Sequence, residues 1–284
     1  METKNQRNYI EELCCEMRYR NYSERTIQTY QELLGRLKKW AKDPLNEITT
    51  VQLKTYLHHR MTVEDISVST INQCISAFKI LQIDVLGREW EQFKIKRPRR
   101  EVKLPVVLSQ EEIEKMISVT SNIKHRAILL LTYSAGLRRK ELQKIKPGDI
   151  DSKRMVVHVK QGKGKKDRLT ILSKKALELL RLYYSLQRPE NYLFETQIRK
   201  GHFLADSTIN QIVKKAAKKA GINKDVSFHT LRHCFATHLM ENGVNLKMVQ
   251  KFLGHNSIRT TARYLHLVNI DPAKIVSPAD LMNI

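Results

Sequence analysis

The chain of 284 residues has no long hydrophobic run, and this absence limits where the protein can act. No uninterrupted apolar stretch approaches the roughly 18 residues that a membrane-spanning helix requires. The first 20 residues carry too many charges for the apolar region of a secretory signal peptide. We therefore expect a protein of the cytoplasm that has no membrane partner.

Cysteine is scarce, and acidic residues are too scattered to form an evident metal site. Only four cysteines are present, Cys14 and Cys15 are adjacent, and no pair has C-x-x-C spacing. Neither a disulfide framework nor a cysteine-based zinc site fits that pattern. A metal-dependent nuclease needs clustered carboxylates that hold two ions, and the sequence offers no convincing cluster.

The charge balance is strongly basic and indicates a polyanionic partner. Lysine and arginine total 51 residues against 29 aspartates and glutamates, which gives a formal net charge of +22. An anionic membrane usually attracts one amphipathic helix or a tail, whereas a folded protein with several basic patches most often follows a nucleic-acid backbone. Four basic runs show the spread: Arg97 to Arg100, Arg138 to Lys140, Lys163 to Lys166 and Lys214 to Lys219.

The first third of the chain has the periodicity of a small helical bundle. Ser23 is a predicted N-cap, and an apolar stripe runs from Ile27 to Leu37 in the helix that follows. A later helix is predicted to end at Gly87. Residues 94–104 then combine positive charge with a lack of periodicity, which is typical of an interdomain linker. We predict a helical domain at 1–93, a basic linker at 94–104 and a second domain at 105–284.

The second domain mixes helices with one hairpin. Ser109 and Glu112 form a capping-box pattern, and a nearly all-apolar helix is predicted to end at Gly136. Alternating apolar strands flank Gly162-Lys163-Gly164, which predicts a β-hairpin. The predicted fold class is therefore mainly α with a small antiparallel β-sheet. Five more helices are predicted, at Lys174 to Leu186, Ser207 to Ala220, Thr230 to Glu241, Leu246 to Phe252 and Ile258 to His266.

His229 and Arg232 lie three residues apart where one of these helices begins. Residues at that spacing share a helix face, and a helix N-terminus attracts anions, so the pair predicts a phosphate or carboxylate target. His229, His233 and His238 have spacings that zinc ligands use, but the Arg232 cation beside them argues against a metal. We expect no metal ion and no cofactor, and we interpret His233 and His238 as helix-packing or backbone-bonded histidines.

Three further motifs complete a set that suits phosphodiester chemistry. They are AGLRRKEL around Arg138, QGKGKKDRL around Lys163, and LGHNSIRTTARYL around His255 and Tyr264. Arginines bind phosphate oxygens bidentately and stabilise the charge that develops on them. Histidines exchange protons near neutral pH, a lysine can protonate the leaving oxygen, and a tyrosine hydroxyl can attack phosphorus.

These motifs resemble those of the tyrosine recombinases, the phage integrases and bacterial Xer recombinases. The match covers most of residues 105 to 268, whereas the first hundred residues resemble the family's SAM-like core-binding domain less specifically. The resemblance implies a site-specific recombinase that cuts and rejoins duplex DNA through a 3′-phosphotyrosine, without ATP or a metal. It also implies a clamp around a specific short recombination site and self-association to a tetramer through the C-terminal tail after Tyr264.

The resemblance assigns a role to each member of the set. Tyr264 corresponds to the nucleophile, and Lys163 corresponds to the general acid that protonates the 5′-hydroxyl. Glu141 corresponds to an acidic residue that orients Arg138. The remaining catalytic positions, which contact the phosphate, are Arg138, His229, Arg232 and His255.

Other functions stay open at this stage. Residues 207–222 could serve a helix-turn-helix-type regulator that binds in the major groove, and type IB topoisomerase-like enzymes share the nicking and closing chemistry. A covalent protein–DNA adduct would exclude the regulator, and joining of two duplexes would exclude the topoisomerase. We expect the protein at the nucleoid when it is bound to DNA. The basic residues predicted to contact DNA are Arg25, Arg97, Arg99, Arg100, Lys165, Lys214 and Lys215.

Overall fold

The chain is mainly helical with a small antiparallel sheet, which confirms the predicted fold class. Its contacts divide it into two units, Met1–Lys103 and Leu104–Ile284. No helix in the described part of the chain is both long and apolar enough to cross a membrane. The computed structural model describes residues 7–90, 95–99, 104–160, 167–198, 201–268 and 282.

The first unit is built from amphipathic helices around a core of leucine, isoleucine and aromatic side chains. The predicted N-cap is confirmed, since the Ser23 hydroxyl accepts a hydrogen bond from the Thr26 amide at 3.2 Å. The last helix continues into a π-helical turn, Leu81–Val85. The α-helices in this part are α1 Tyr9–Tyr19, α2 Glu24–Ala41, α3 Thr50–Thr62 and α4 Val68–Ile80.

Part of the predicted linker packs against the first unit. Ile95 is buried in that unit's core. The Arg97 guanidinium donates hydrogen bonds to the Asn72 carbonyl and the Ser76 hydroxyl of α4, each at 2.9 Å. Residues 95–97 are thereby fastened to the helical bundle.

The second unit adds eight α-helices and three strands in its described ranges. The helix α7 and the strand β1 were not predicted, because segments of six and two residues are too short to show a periodicity. A 3-10 turn, Pro147–Asp149, joins them. The elements are α5 Gln110–Ser118, α6 Ile123–Ala135, α7 Arg139–Lys144, β1 Ile150–Asp151, β2 Val156–Val159, β3 Arg168–Ile171, α8 Lys174–Gln187, α9 Asp206–Lys219, α10 Phe228–Glu241, α11 Leu246–Leu253 and α12 Ile258–Ala262.

The three strands form an antiparallel sheet in the order β1-β2-β3. The strands β2 and β3 pair from Val156 with Ile171 to Val159 with Arg168, so they are the two arms of the predicted hairpin. Residues 161–166, which include Lys163 and Lys165, lie outside the described residues. The register places Arg168 at the loop end of β3.

The helices α6 and α10 pack against each other, and this packing brings the C-terminal end of α6 next to α10. The apolar helix α6 ends at Gly136, as predicted, with a left-handed φ of +60°. A Cβ at this glycine would lie 2.3 Å from the Phe235 ring of α10, so only glycine fits here. This close approach allows Arg232 of α10 to reach the end of α6.

The predicted continuous helix from Ile258 to His266 is wrong. The helix α12 ends at Ala262, and a separate 3-10 turn follows at Leu265–Leu267. The Tyr264 amide bonds the Thr261 carbonyl at 3.0 Å, an i to i−3 bond that tightens the chain. Tyr264 therefore lies between two short helical segments.

Candidate active site

Arg138 occupies the N-cap position of α7, and its side chain is held on two sides. Its Nη1 donates to Glu141 Oε1 at 2.8 Å, and its Nη2 donates to the Gly254 carbonyl at 2.9 Å. The Arg138 amide also donates to Glu141 Oε2 at 2.6 Å. The side chain keeps 21% of its surface exposed, so it is anchored and still accessible to a ligand.

Arg232 is buried and anchored by the carbonyl ends of two helices. Its Nη1 donates to the Gly136 carbonyl at 2.5 Å, and its Nη2 donates to the Leu253 carbonyl at 2.6 Å. The last carbonyls of a helix lack partners within the helix and carry partial negative charge, so they attract a guanidinium. Burial and then the nearby Arg138 charge lower the pKa of Arg232 to about 9, which leaves it charged at neutral pH.

The Glu141 carboxylate binds two arginines, Arg138 and Arg168. Arg168 was not among the predicted site residues. It binds the Glu141 carboxylate bidentately, at 2.7 Å to Oε1 and 2.9 Å to Oε2. Burial on its own would raise the pKa of Glu141, but the Arg168 charge and hydrogen bonds, with those of Arg138, lower it. Glu141 is therefore a buried anion that aligns two cations.

Arg168 also fixes the end of α11. Its Nε donates to the Phe252 carbonyl at 2.8 Å. Gly254, which caps α11 at a φ of +59°, lies so close that a Cβ would be 2.5 Å from Arg168 Cδ. The sequence motifs did not predict a role for Arg168. The available indication was its position close to Lys163, at the loop end of a predicted strand.

His255 follows Gly254 and is neutral in this setting. Its Nε2 lies 3.2 Å from Arg232 Nη2, and its Nδ1 lies 2.9 Å from the Thr261 hydroxyl. Because an arginine only donates, Nε2 is the acceptor and the ring proton is on Nδ1. Burial and then the charge of Arg232 lower the pKa of His255 to about 3.

His229 lies at the exposed start of α10, one turn before Arg232. Loss of solvent around part of its ring, followed by the charge of Arg232, lowers its pKa. Its ring centre is 6.5 Å from that of His233. The spacing predicted from the sequence therefore places His229 and Arg232 on one side of the same helix.

Tyr264 is buried and contacts two histidines. Its hydroxyl lies 2.9 Å from His233 Nδ1, and its ring stacks on that of His255 with centres 6.4 Å apart. Only 4% of the residue is exposed, because it packs against Phe235 and Val249. Burial raises the pKa of Tyr264, although the Arg232 charge opposes that shift.

The two remaining histidines of α10 are each bonded to a tyrosine, and His238 also has a backbone hydrogen bond to Leu108. His233 bonds Tyr264, and His238 Nδ1 lies 2.9 Å from the Tyr133 hydroxyl. The expectation of packing or backbone-bonded histidines is therefore confirmed for His238, but for His233 it missed the direct contact with the candidate nucleophile. Helical periodicity places His233 beside His229 and Arg232, but it gives no sign that Tyr264 lies across from it.

A cleft of about 680 Å³ opens beside these groups, lined by Arg138, Arg168, His255, Lys247 and Lys251. Lysine and arginine side chains outnumber the acidic Asp167 in its walls, which are therefore predominantly basic. Such a cleft attracts anions, because the low-dielectric walls focus the field of the cations.

The predicted DNA-contacting residues are spread over both units. Arg25, Arg99, Lys214 and Lys215 are exposed, and the Arg97 guanidinium is bound to α4. Lys163, Lys165 and Arg100 lie outside the described residues. The structure thus brings six of the seven predicted catalytic and supporting residues to one site: Arg138, Glu141, His229, Arg232, His255 and Tyr264.

Comparison with known proteins connects this geometry to a family. The phage integrase family matches residues 106–269, and the SAM-like N-terminal domain of phage integrases matches residues 9–92. A protein of Sinorhizobium fredii named as an integrase/recombinase, y4qK, is 35% identical over 268 residues, which cover 94% of this chain and 87% of that protein. The tyrosine recombinase XerA of Pyrococcus horikoshii is 31% identical over 280 residues, covering 96% and 94%.

Solved structures agree with the sequence relatives. The crystal structure of XerA recombinase matches with 28% identity and a TM-score of 0.54, covering 93% of this chain and 94% of its own. A lambda integrase dimer bound to a core site has the same fold, with a TM-score of 0.74, 19% identity and coverage of 90% and 93%. The family match covers more than half of this chain. The chain therefore belongs to the phage integrase family of tyrosine recombinases, the enzymes of site-specific DNA recombination.

Proposed function

We propose that this site cuts and rejoins duplex DNA at a specific recombination site, with Tyr264 as the nucleophile. The phenol oxygen attacks the scissile phosphorus and forms a 3′-phosphotyrosine, and the 5′-oxygen leaves. The broken phosphodiester is conserved in the new ester, so rejoining needs no external energy source. The observation that carries the proposal is the convergence of Tyr264, Arg138 and Arg232 around His255.

The two arginines would bind the nonbridging oxygens of the phosphate. The negative charge of a phosphoryl group in transfer spreads over these oxygens, and preorganised donors stabilise it without reorganising. Arg138 and Arg232 are held by carbonyls and by Glu141, so their direction is fixed before DNA arrives. His229, at the exposed start of α10, would add a further donor to the phosphate.

By resemblance to the family, His255 is proposed as the last phosphate-contacting position, and such a contact would require one of its ring nitrogens to exchange its partner, Arg232 or Thr261, for the phosphate. In the structure its Nε2 accepts from Arg232 and its ring stacks on Tyr264. The neutral His255 ring therefore helps to orient both the Arg232 guanidinium and the Tyr264 ring.

Lys163 is proposed as the general acid on the leaving 5′-oxygen, by resemblance to the family alone. A sulfur atom in place of that bridging oxygen is a far better leaving group and needs no proton. Lys163→Ala should cleave the sulfur substrate near the wild-type rate and fail on ordinary DNA, whereas Arg232→Ala should fail on both. Equal defects of Lys163→Ala on the two substrates would contradict the role.

We also propose the organisation around the DNA. Residues 1–93 would form a SAM-like DNA-binding domain and residues 105–284 the catalytic domain, joined by the basic linker at 94–104 and closing as a clamp. XerH and lambda integrase, which share this fold, have been solved bound to a difH substrate and to a core site, and this supports DNA as the partner. A tetramer held through the C-terminal tail, acting at the nucleoid in the cytoplasm, completes the proposal.

The test begins with duplexes selected from a random pool by binding to the wild-type protein. The selected duplex is then prepared with nicks at different positions. When cleavage occurs close to a nick, the short fragment with the 5′-hydroxyl diffuses away and rejoining is prevented. We expect a covalent protein–DNA adduct that survives denaturation and whose peptide maps to Tyr264. A selected duplex that is bound but gives no adduct with any nick would contradict the proposal.

A further inference from the structure

The hydroxyl of Tyr264 has a partner that no catalytic role yet explains. His233 Nδ1 lies 2.9 Å from that hydroxyl, and the two ring centres are 5.5 Å apart. His233 is only partly exposed, and it is anchored on α10 immediately after Arg232. The oxygen that would attack DNA is therefore hydrogen-bonded to the ring nitrogen of a histidine.

We assign the phenol as the donor in this hydrogen bond. A phenol hydroxyl carries one proton, and a buried donor is nearly always paired. His233 is neutral, because burial and then the charges of His229, Arg232 and Arg263 lower its pKa to about 4. A neutral ring with its proton on Nε2 offers the lone pair of Nδ1 to Tyr264.

The other histidine beside Tyr264 cannot accept that proton. Although the His255 ring stacks on Tyr264, its Nε2 lone pair faces Arg232. Its Nδ1 lies against the Thr261 hydroxyl and carries the ring proton. Since a general base must lie within hydrogen-bond reach of the proton it removes, the geometry favours His233 over His255.

We propose that His233 is the proton acceptor for Tyr264 in the cleavage step, an inference that rests on the proposed role of Tyr264 as the nucleophile. As the bond from the Tyr264 oxygen to phosphorus forms, the phenol proton passes to His233 Nδ1. The bond from phosphorus to the 5′-oxygen breaks, its electron pair stays on that oxygen, and the general acid supplies a proton there. Rejoining reverses each transfer, so His233 returns the proton to the departing phenol.

DNA itself would prepare this step. Without DNA, burial and then the charges of His229, Arg232 and Arg263 disfavour a protonated His233. A bound phosphate places negative charge among those cations, and a nearby opposite charge favours the protonated ring. The base therefore becomes competent when the substrate is in place, which limits reaction of Tyr264 in its absence.

The first experiment compares His233→Asn with His238→Asn. An asparagine oxygen at position 233 can accept the Tyr264 hydrogen bond, but it cannot keep the proton. We expect His233→Asn to slow single-turnover cleavage of the selected duplex by about 10²-fold, in the range of general base catalysis. His238→Asn changes the same bond type on the same helix, at Tyr133, and should cleave at nearly the wild-type rate.

Both variants should bind the duplex with unchanged Kd and unfold at a Tm close to one another. If His233→Asn does not fold, His233→Ala serves in the same assays. Cleavage by the folded variant at the wild-type rate would overturn the proposal. The wild-type adduct at Tyr264 would remain, so the failure of His233 is separable from failure of the proposed function.

The second experiment separates proton transfer from simple anchoring. Fluorine on the ring lowers the pKa of a phenol, so a fluorinated nucleophile depends less on a base. We would replace Tyr264 with mono- and difluorotyrosine in the wild-type and His233→Asn backgrounds. The rate defect of His233→Asn should shrink as fluorine is added, and a defect of constant size would mean that His233 only holds the hydroxyl.

Discussion

The helix α10 carries two histidine–tyrosine pairs that have the same bond and different surroundings. His233 Nδ1 lies 2.9 Å from the Tyr264 hydroxyl, and His238 Nδ1 lies 2.9 Å from the Tyr133 hydroxyl. Burial is the leading cause that lowers the pKa of both histidines. The bond alone therefore does not distinguish a reactive tyrosine from a structural one.

The charges around the two pairs differ. For His233, burial and then the charges of His229, Arg232 and Arg263 lower the pKa to about 4. For His238 the nearby charges are Glu241 and Glu111, which oppose the effect of burial. The pair at Tyr264 thus lies in a cationic field that a phosphate can neutralise, while the pair at Tyr133 has no such arrangement around it in the described ranges.

The largest expected difference comes from removing each hydroxyl. Tyr264→Phe should abolish adduct formation and leave DNA binding nearly intact, because the ring and the basic contacts remain. Tyr133→Phe should retain cleavage. The measurement is single-turnover cleavage of the selected duplex together with Kd. Cleavage by Tyr264→Phe at the wild-type rate would show that another residue is the nucleophile.

Changing Arg232 should affect the site of the Tyr264 pair and leave the Tyr133 pair in place. Arg232→Lys keeps a charge but loses the planar fork that reaches the Gly136 and Leu253 carbonyls. We expect the cleavage rate to fall by about 10²–10³-fold, the typical cost of one preorganised donor. Arg263→Lys, on the exposed side of the same field, is the control and should lose far less. Full activity of Arg232→Lys would contradict the proposed binding of the nonbridging oxygens by Arg232.

A smaller effect is expected from Arg168, which acts on the cationic field through Glu141. Arg168→Lys loses the bidentate contact and the bond to the Phe252 carbonyl, so the free energy of unfolding should fall by about 1–3 kcal/mol. Cleavage should slow less than in Arg232→Lys, because Arg138 keeps its own bond to Glu141. Chemical denaturation and single-turnover kinetics test both statements, and an unchanged unfolding free energy would remove Arg168 from this role.

The smallest expected difference is in the dependence of stability on pH. A histidine whose pKa is about 4 in the folded protein and about 6.5 when unfolded binds more protons in the unfolded state. His233 should therefore destabilise the fold as the pH falls from about 6.5 towards 4. His233→Asn should flatten the slope of Tm against pH in that window, and His238→Asn should flatten it less. Equal slopes in the wild type and His233→Asn would contradict the lowered pKa.

The sequence predicted correctly those features that depend on the residue pattern within a single helix. The spacing of His229 and Arg232, the cap at Ser23 and the end of α6 at Gly136 all depend on local periodicity or glycine geometry. The interruption of the helix before Tyr264 was missed, because tertiary packing of that ring overrides the local pattern. The roles of Arg168 and His233 were also missed, since their partners lie 27 and 31 residues away along the chain.

The carbonyl anchors of the arginines have a consequence for the effect of ionic strength. Gly136, Leu253 and Gly254 hold Arg232 and Arg138 with neutral oxygens inside the fold, where dissolved ions screen little. DNA binding, in contrast, releases condensed counterions and weakens steeply as salt is added. Raising the salt concentration should therefore raise Kd strongly while the cleavage rate of the saturated complex hardly changes, so that finding the DNA and cutting it respond separately to the same ions.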